Sequence, residues 1–177
     1  MGAALAYFLT FSTYGTHLRG SAKGWVDSKH NISGSPMRKA DERLVNFWDG
    51  QLKERPLVLD EQQRLVALEA VLGVCRYRGW NAHAVHVRST HVHTVVAAAD
   101  VKPEKMLTDF KSYASRALRS KANCERRRYW TDHGSTRYLW NEVSVKAAVD
   151  YVVNGQGVKM ACFSETCRAG FCVTCRG

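Results

Sequence analysis

The chain contains no stretch approaching the ~20 consecutive apolar residues that a membrane span requires, and it shows no internal repeat. Its start, MGAALAYFLTFSTYGT, has no basic leader before the apolar run and turns polar by Ser12, which is not the pattern of a secretory signal. The expected location is therefore the cytoplasm, where six cysteines read as thiols or metal ligands rather than as a disulfide framework. Acidic side chains are also scarce: 16 Asp and Glu stand against 26 Lys and Arg, a formal charge of +10. That balance points to polyanionic partners and gives no reason to expect a membrane-embedded one.

What is present looks globular. Apolar residues at 45% and charged residues at 24% exclude a disordered or fibrous chain, and 177 residues suffice for one domain with a real core. Much of the positive excess lies in Lys111, Arg116, Arg119, Lys121, Arg126, Arg127 and Arg128, opposed in that interval by Glu125 alone. A nucleic-acid-binding surface and an ordinary solvated helix face explain this run equally well.

The apolar pattern predicts an order of elements. Leu5 to Thr13 reads as a buried strand, and residues 17–56, polar and broken by six glycines and prolines, as a long loop insertion. Asp60 opens a helix through a capping box, and Gly79 ends it. AHAVHVRS and HVHTVVAA, with a short turn near Ser89 and Thr90, form a hairpin. Pro103 starts a second helix with the stripe Leu107, Phe110, Ala114, Ala117 and Leu118; Ser135 to Trp140 supplies a strand. Ser144 caps a third helix that ends near Gly155. Strand, helix, strand, strand, helix, strand is the split βαβ order of an α+β, ferredoxin-like antiparallel sheet, here with an additional C-terminal helix.

The hairpin carries the chemistry. Successive strand residues point to opposite faces, so His91 and His93 share one face about 6.5 Å apart, while Val92 enters the core. Two imidazoles on a rigid strand can converge on one ion, although an isolated HxH is more often simply polar surface. The third helix offers further groups. Tyr151 stands at the edge of its apolar stripe, and the amide of Asn154 or of Gln156 can complete a metal site. A boundary tyrosine of that kind is, on helical geometry alone, an ordinary amphipathic residue. Of the histidines on the preceding strand, His83 and His86 have opposite parity, so at most one faces the metal side, and packing explains both.

HVH followed by a basic helix, then WTDHGSTRYLW and VDYVVNGQG, together with the opening YFLTFSTYGTHLRG, resembles the single-tyrosine HUH transposases, especially their REP-associated relatives. The likeness runs in scattered blocks over residues 5–157. It implies a ferredoxin-like catalytic domain over residues 1–160, in which two histidines and a glutamine or asparagine hold Mg2+ or Mn2+ beside a nucleophilic tyrosine. Carried over, His91 and His93 match the histidines and Tyr151 the nucleophile, with Tyr113 ranked second. Gln156 is the preferred third ligand; the family spacing is one residue shorter, at Gly155, which keeps Asn154 in contention. The implied activity is cleavage and rejoining of single-stranded or hairpin DNA through a 5′-phosphotyrosine, by a monomer or homodimer associated with the nucleoid. Residues 161–177 read as a Cys-rich tail, with Cys162, Cys167, Cys172 and Cys175 a candidate Zn2+ site.

Overall fold

The computed structural model describes residues 4–21 and 39–167. Strands β1 (Ala6–Ser12), β2 (Asn81–Val87), β3 (His91–Ala97), β4 (Ser135–Leu139) and β5 (Ala161–Ser164) pair antiparallel in one sheet of order β4-β1-β3-β2-β5. The first four strands, with helices α2 (Glu61–Arg78) and α3 (Pro103–Lys121) in the crossovers, make the split βαβ arrangement expected from the sequence. Helix α4 (Glu142–Asn154) follows β4, as anticipated.

Local chemistry accounts for the boundaries. Asp60 Oδ1 accepts from the Gln63 amide at 2.8 Å and Gln63 Oε1 accepts from the Asp60 amide at 3.1 Å, which is the predicted capping box of α2. Gly79 ends that helix with φ of +69°, a left-handed conformation that a side chain would oppose. The hairpin turns through residues 88–90 and is closed by the Arg88 amide donating to the His91 carbonyl at 2.8 Å.

Three expectations need correction. The stretch 17–56 is not all loop: Asp41 caps helix α1 (Glu42–Gly50), a nine-residue helix in which no residue is buried. Asn141, not Ser144, caps α4; its side chain accepts from the Ser144 amide at 2.8 Å, so the helix starts three residues earlier than predicted. Ala161–Ser164, read as the start of a tail, pairs with β2 as the fifth strand. Four residues are too short for alternation to announce a strand. Cys162 lies on β5 and Cys167 in the 3-10 turn Glu165–Cys167, while Cys172 and Cys175, and with them the four-cysteine site, lie outside the described residues.

The sheet divides two cores. Tyr7, Leu9 and Phe11 of β1 and Val92 and Val96 of β3 pack against α2 and α3, where Phe110, Ala114 and Leu118 of the predicted stripe are fully buried. The alternate residues Ala6, Ala84 and Val95 face the opposite side and meet Ala148 and Val152 of α4. Alternation along β3 therefore assigns His91 and His93 to the α4 side. Among the described residues no helix is long and apolar enough to cross a membrane.

Candidate active site

On the α4 side of the sheet His93 stands between Thr10 of β1 and His86 of β2, its cross-strand partners. The Thr10 hydroxyl hydrogen-bonds His93 Nδ1 at 2.8 Å, and the Thr90 hydroxyl does the same for His91 Nδ1 at 3.1 Å. Each ring is thus held at Nδ1 by a threonine hydroxyl. The two ring centroids lie 4.7 Å apart. Phe8, two residues before Thr10 on the same face, stacks on His93 at 5.7 Å and 26°.

Helix α4 buries Ala148 and Val152 and leaves Tyr151 at the rim, as the edge of its stripe predicted. The phenol ring lies 5.8 Å from the His93 ring and 5.9 Å, edge-on, from Phe8, and is 47% exposed. Gly155 makes this placement possible. A Cβ there would stand 2.8 Å from the Tyr151 carbonyl oxygen and 2.9 Å from its Cδ2, so a side chain at 155 would push on the tyrosine itself.

The two amides weighed in the sequence part company. Gln156 hydrogen-bonds the His93 imidazole and reaches the Tyr151 carbonyl at 3.4 Å. Asn154 is exposed and donates to Asp150 Oδ1 at 2.8 Å, within its own helix. Tyr113 packs on the other side of the sheet, on α3, with the Arg116 guanidinium 4.3 Å over its ring.

Burial above all, then the neighbouring His91 and His86, holds the His93 pKa down to about 4, against the opposing Gln156 hydrogen bond. Burial lowers His86 too. Both imidazoles are neutral at pH 7, the form that can ligate. The unfolded chain, with values near 6.5, takes up protons that the metal-free folded chain refuses. Stability is therefore complete above pH ~6.5 and falls as pH drops toward 4, by about 3 kcal/mol for the His93 shift. Urea midpoints measured between pH 7.5 and 4 in chelator are expected to decline over that window; a flat profile would contradict the burial of His93.

Among the described residues no three His, Cys, Asp or Glu side chains cluster as a metal site; the groups that could hold an ion beside Tyr151 are two imidazoles and an amide. Such a set, partly exposed at Tyr151, fits a labile divalent cation with open positions better than a closed structural zinc.

The basic residues differ in how far they are engaged with the rest of the protein. Lys111 Nζ donates to the Thr131, Asp132 and His133 carbonyls at 2.7, 3.3 and 3.2 Å, and burial lowers its pKa. Arg126 donates to the Arg128 carbonyl at 3.2 Å and lies 3.9 Å from Glu54. Arg119 bonds the Arg126 carbonyl at 3.1 Å, and Arg116 covers Tyr113. Lys121, Arg127 and Arg128 are exposed. Lys53, Arg119, Arg127 and Arg128 line a cleft of about 1100 Å3 between α3 and the segment leading to β4, with Lys111 bracing its wall. Lys111→Met is expected to lower stability by about 1–3 kcal/mol through three unmet carbonyls. Arg127→Ala with Arg128→Ala should leave stability within ~0.5 kcal/mol. Thermal denaturation of the two variants checks both.

Thr10 and Phe8 join the site without having been singled out in the sequence, and so does His86, which was weighed there and read as packing. Phe8 and Thr10 share the parity of one strand, but which face of β1 meets the histidines follows only from its pairing with β3.

No curated protein matches the chain. Two solved structures resemble it at 13% identity: the REP-associated tyrosine transposase bound to a REP hairpin, with TM-score 0.48 over 86% of this chain and 66% of that one, and a protein from Deinococcus radiodurans R1 described as a transposase, with TM-score 0.45 over 86% and 91%. The chain thus spans just under two thirds of the first of these. The family model described as "Transposase IS200 like" matches residues 51–154, more than half of the sequence, and the chain belongs to that family.

Proposed function

We propose that the protein is a metal-dependent single-stranded DNA nuclease and strand transferase that cuts through a 5′-phosphotyrosine and rejoins ends, with hairpin-bearing DNA as substrate. The observation that carries this reading is the Tyr151 ring 5.8 Å from the inner member of a histidine pair, within one polypeptide. The proposed site is therefore complete in a single chain.

His91, His93 and Gln156 would hold Mg2+ or Mn2+. Such an ion, when bound, supplies charge neutralisation at a nonbridging phosphate oxygen and eases ionisation of a nearby phenol. Tyr151 Oη forms a bond to phosphorus as the bond to the 3′-oxygen breaks; the phenol gives up its proton and the leaving oxygen gains one. The new phosphotyrosine is itself a phosphodiester, so a 3′-hydroxyl can reverse the step on another end without a nucleotide cofactor. Phe8 and Gly155 fix where the ring stands, and the half-exposed position leaves room for a phosphate.

Substrate class follows from charge and access. A net +10 with exposed Arg127, Arg128 and Lys121 suits a polyanion, and the cleft that Arg127 and Arg128 border offers a track for a phosphate backbone. A flexible single strand brings one phosphate to an open tyrosine more easily than a duplex does. The test is incubation of labelled single-stranded DNA bearing a hairpin with Mn2+ or with chelator, followed by denaturing electrophoresis. A denaturant-resistant protein-DNA band is expected with metal and none with chelator; absence of the band under both conditions would refute the reading.

A further inference from the structure

We propose that His86 is a positioning residue for the reaction: its ring ties the end of α4 and the entry to β5 to the sheet, and so holds Tyr151 and Gln156 against the histidine pair. This rests on the roles assigned above to those two residues.

His86 is completely buried on β2, where a leucine of similar bulk would satisfy packing. Its two nitrogens face two backbone groups that a leucine could not serve. Nδ1 lies 2.8 Å from the Val152 carbonyl, and Nε2 lies 3.2 Å from the Met160 amide nitrogen. An amide N–H can only donate and a carbonyl can only accept, so the partners settle the tautomer: Nδ1 carries the proton and Nε2 accepts. Val152 directly follows Tyr151, and its carbonyl is among the last four of α4, which have no partner within the helix. The Tyr151 carbonyl is met by the Gly155 amide at 2.9 Å; the next one is met by His86. Between the two anchor points run residues 153–159, with Gln156 at their middle. One ring therefore closes both ends of the segment that presents the amide and fixes the turn of helix that presents the phenol.

Cross-strand pairing gives this clamp its reference point. His86 is directly opposite His93, so the anchor of α4 and the inner histidine sit side by side on neighbouring strands. A bulge between Ala82 and Ala84 reverses the facing of β2 upstream, and His83 at the bulge bonds Glu165 at 2.9 Å instead. Of the two histidines on this strand, which have opposite parity, only His86 joins the site.

The experiment uses the full chain and the same labelled hairpin DNA with Mn2+. His86→Leu should slow single-turnover formation of the covalent adduct about tenfold or more, the order of effect of a small misplacement of a reacting group, with the dissociation constant for the DNA unchanged within about twofold. His86→Asn places an amide N–H near the position of Nδ1, keeps the Val152 bond and should recover part of the loss. Wild-type adduct rate in a folded His86→Leu, or rate and DNA affinity falling in proportion, overturns the proposal. If neither variant folds, nitrogen-15 spectra of the wild-type imidazole decide: the protonated-Nδ1 tautomer with a slowly exchanging Met160 amide is expected, and the other tautomer, or a freely exchanging amide, overturns it. Should the wild type form no adduct, the reading of Tyr151 fails separately, while those spectra still report whether His86 holds the segment.

Discussion

Tyr151→Phe is expected to abolish the covalent protein-DNA band, a loss of at least about a thousandfold in adduct formation, while the protein stays folded and still binds DNA. Phenylalanine keeps the ring and its edge-on contact with Phe8, and no hydrogen bond of the phenol oxygen contributes to the core. An exposed hydroxyl removed without loss of packing changes stability by no more than ~0.5 kcal/mol. What disappears is the proposed nucleophile, and Tyr113, the other tyrosine weighed from the sequence, lies across the sheet beneath Arg116. Tyr113→Phe should accordingly form adduct at the wild-type rate. The pair of variants also separates mechanisms. An enzyme using the metal to activate water would cut DNA in Tyr151→Phe, leaving free ends and no protein attached. A protein that only binds nucleic acid would show no band in the wild type either. Denaturing electrophoresis of the three proteins with end-labelled DNA distinguishes these outcomes in one gel.

The parts of this fold that were legible in the sequence are those in which one local pattern decides the structure. The capping box at Asp60, the stripe of α3 and the alternation around Val92 each need only a few neighbouring residues, and each is found where expected. Failures occurred in short elements and at a cap. Helix α1 has no buried residue and β5 only four residues, so their positions depend on partners distant in the chain. Asn141 prevailed over Ser144 as a cap because both residue types can cap, and their order along the chain does not say which leaves the helix first.

The site follows the same division. Strand parity put His91 and His93 on one face, and helix periodicity put Tyr151 on a boundary; neither could say that the boundary and the face are the same place. That fact belongs to the topology, which sends α4 across the side of the sheet opposite α2 and α3. Charge was the least informative signal. Seven cations read as one basic segment, yet Lys111 and Arg126 are engaged with backbone carbonyls, and only neighbours brought in from Arg55 and from residues 131–133 reveal it.

The second large effect is expected from the ligand set, and it decides between two amides that the sequence left open. His91→Ala or His93→Ala should reduce metal-dependent adduct formation by about 10²–10³-fold, the range seen when a group stabilising charge at the reacting centre is removed. His93→Ala carries an added structural cost of about 1–3 kcal/mol, because the half-buried Thr10 hydroxyl loses its partner, so His91→Ala, at the less buried end of the pair, is the cleaner variant. Gln156→Ala should lose about 10–10²-fold and recover partly at high Mn2+, as befits a neutral third donor whose loss weakens metal affinity more than it alters the phenol. Asn154→Ala should remain within about twofold of wild type, since its amide is turned to Asp150 on the outer side of α4. The reverse ranking, with Asn154 indispensable and Gln156 silent, would mean that the C-terminal turn of α4 rearranges when the cation binds. Such a rearrangement would have to release Gln156 from His93 and the Asp150 carboxylate from Asn154 together, and titration of adduct rate against Mn2+ in the two variants reads which of these contacts gives way.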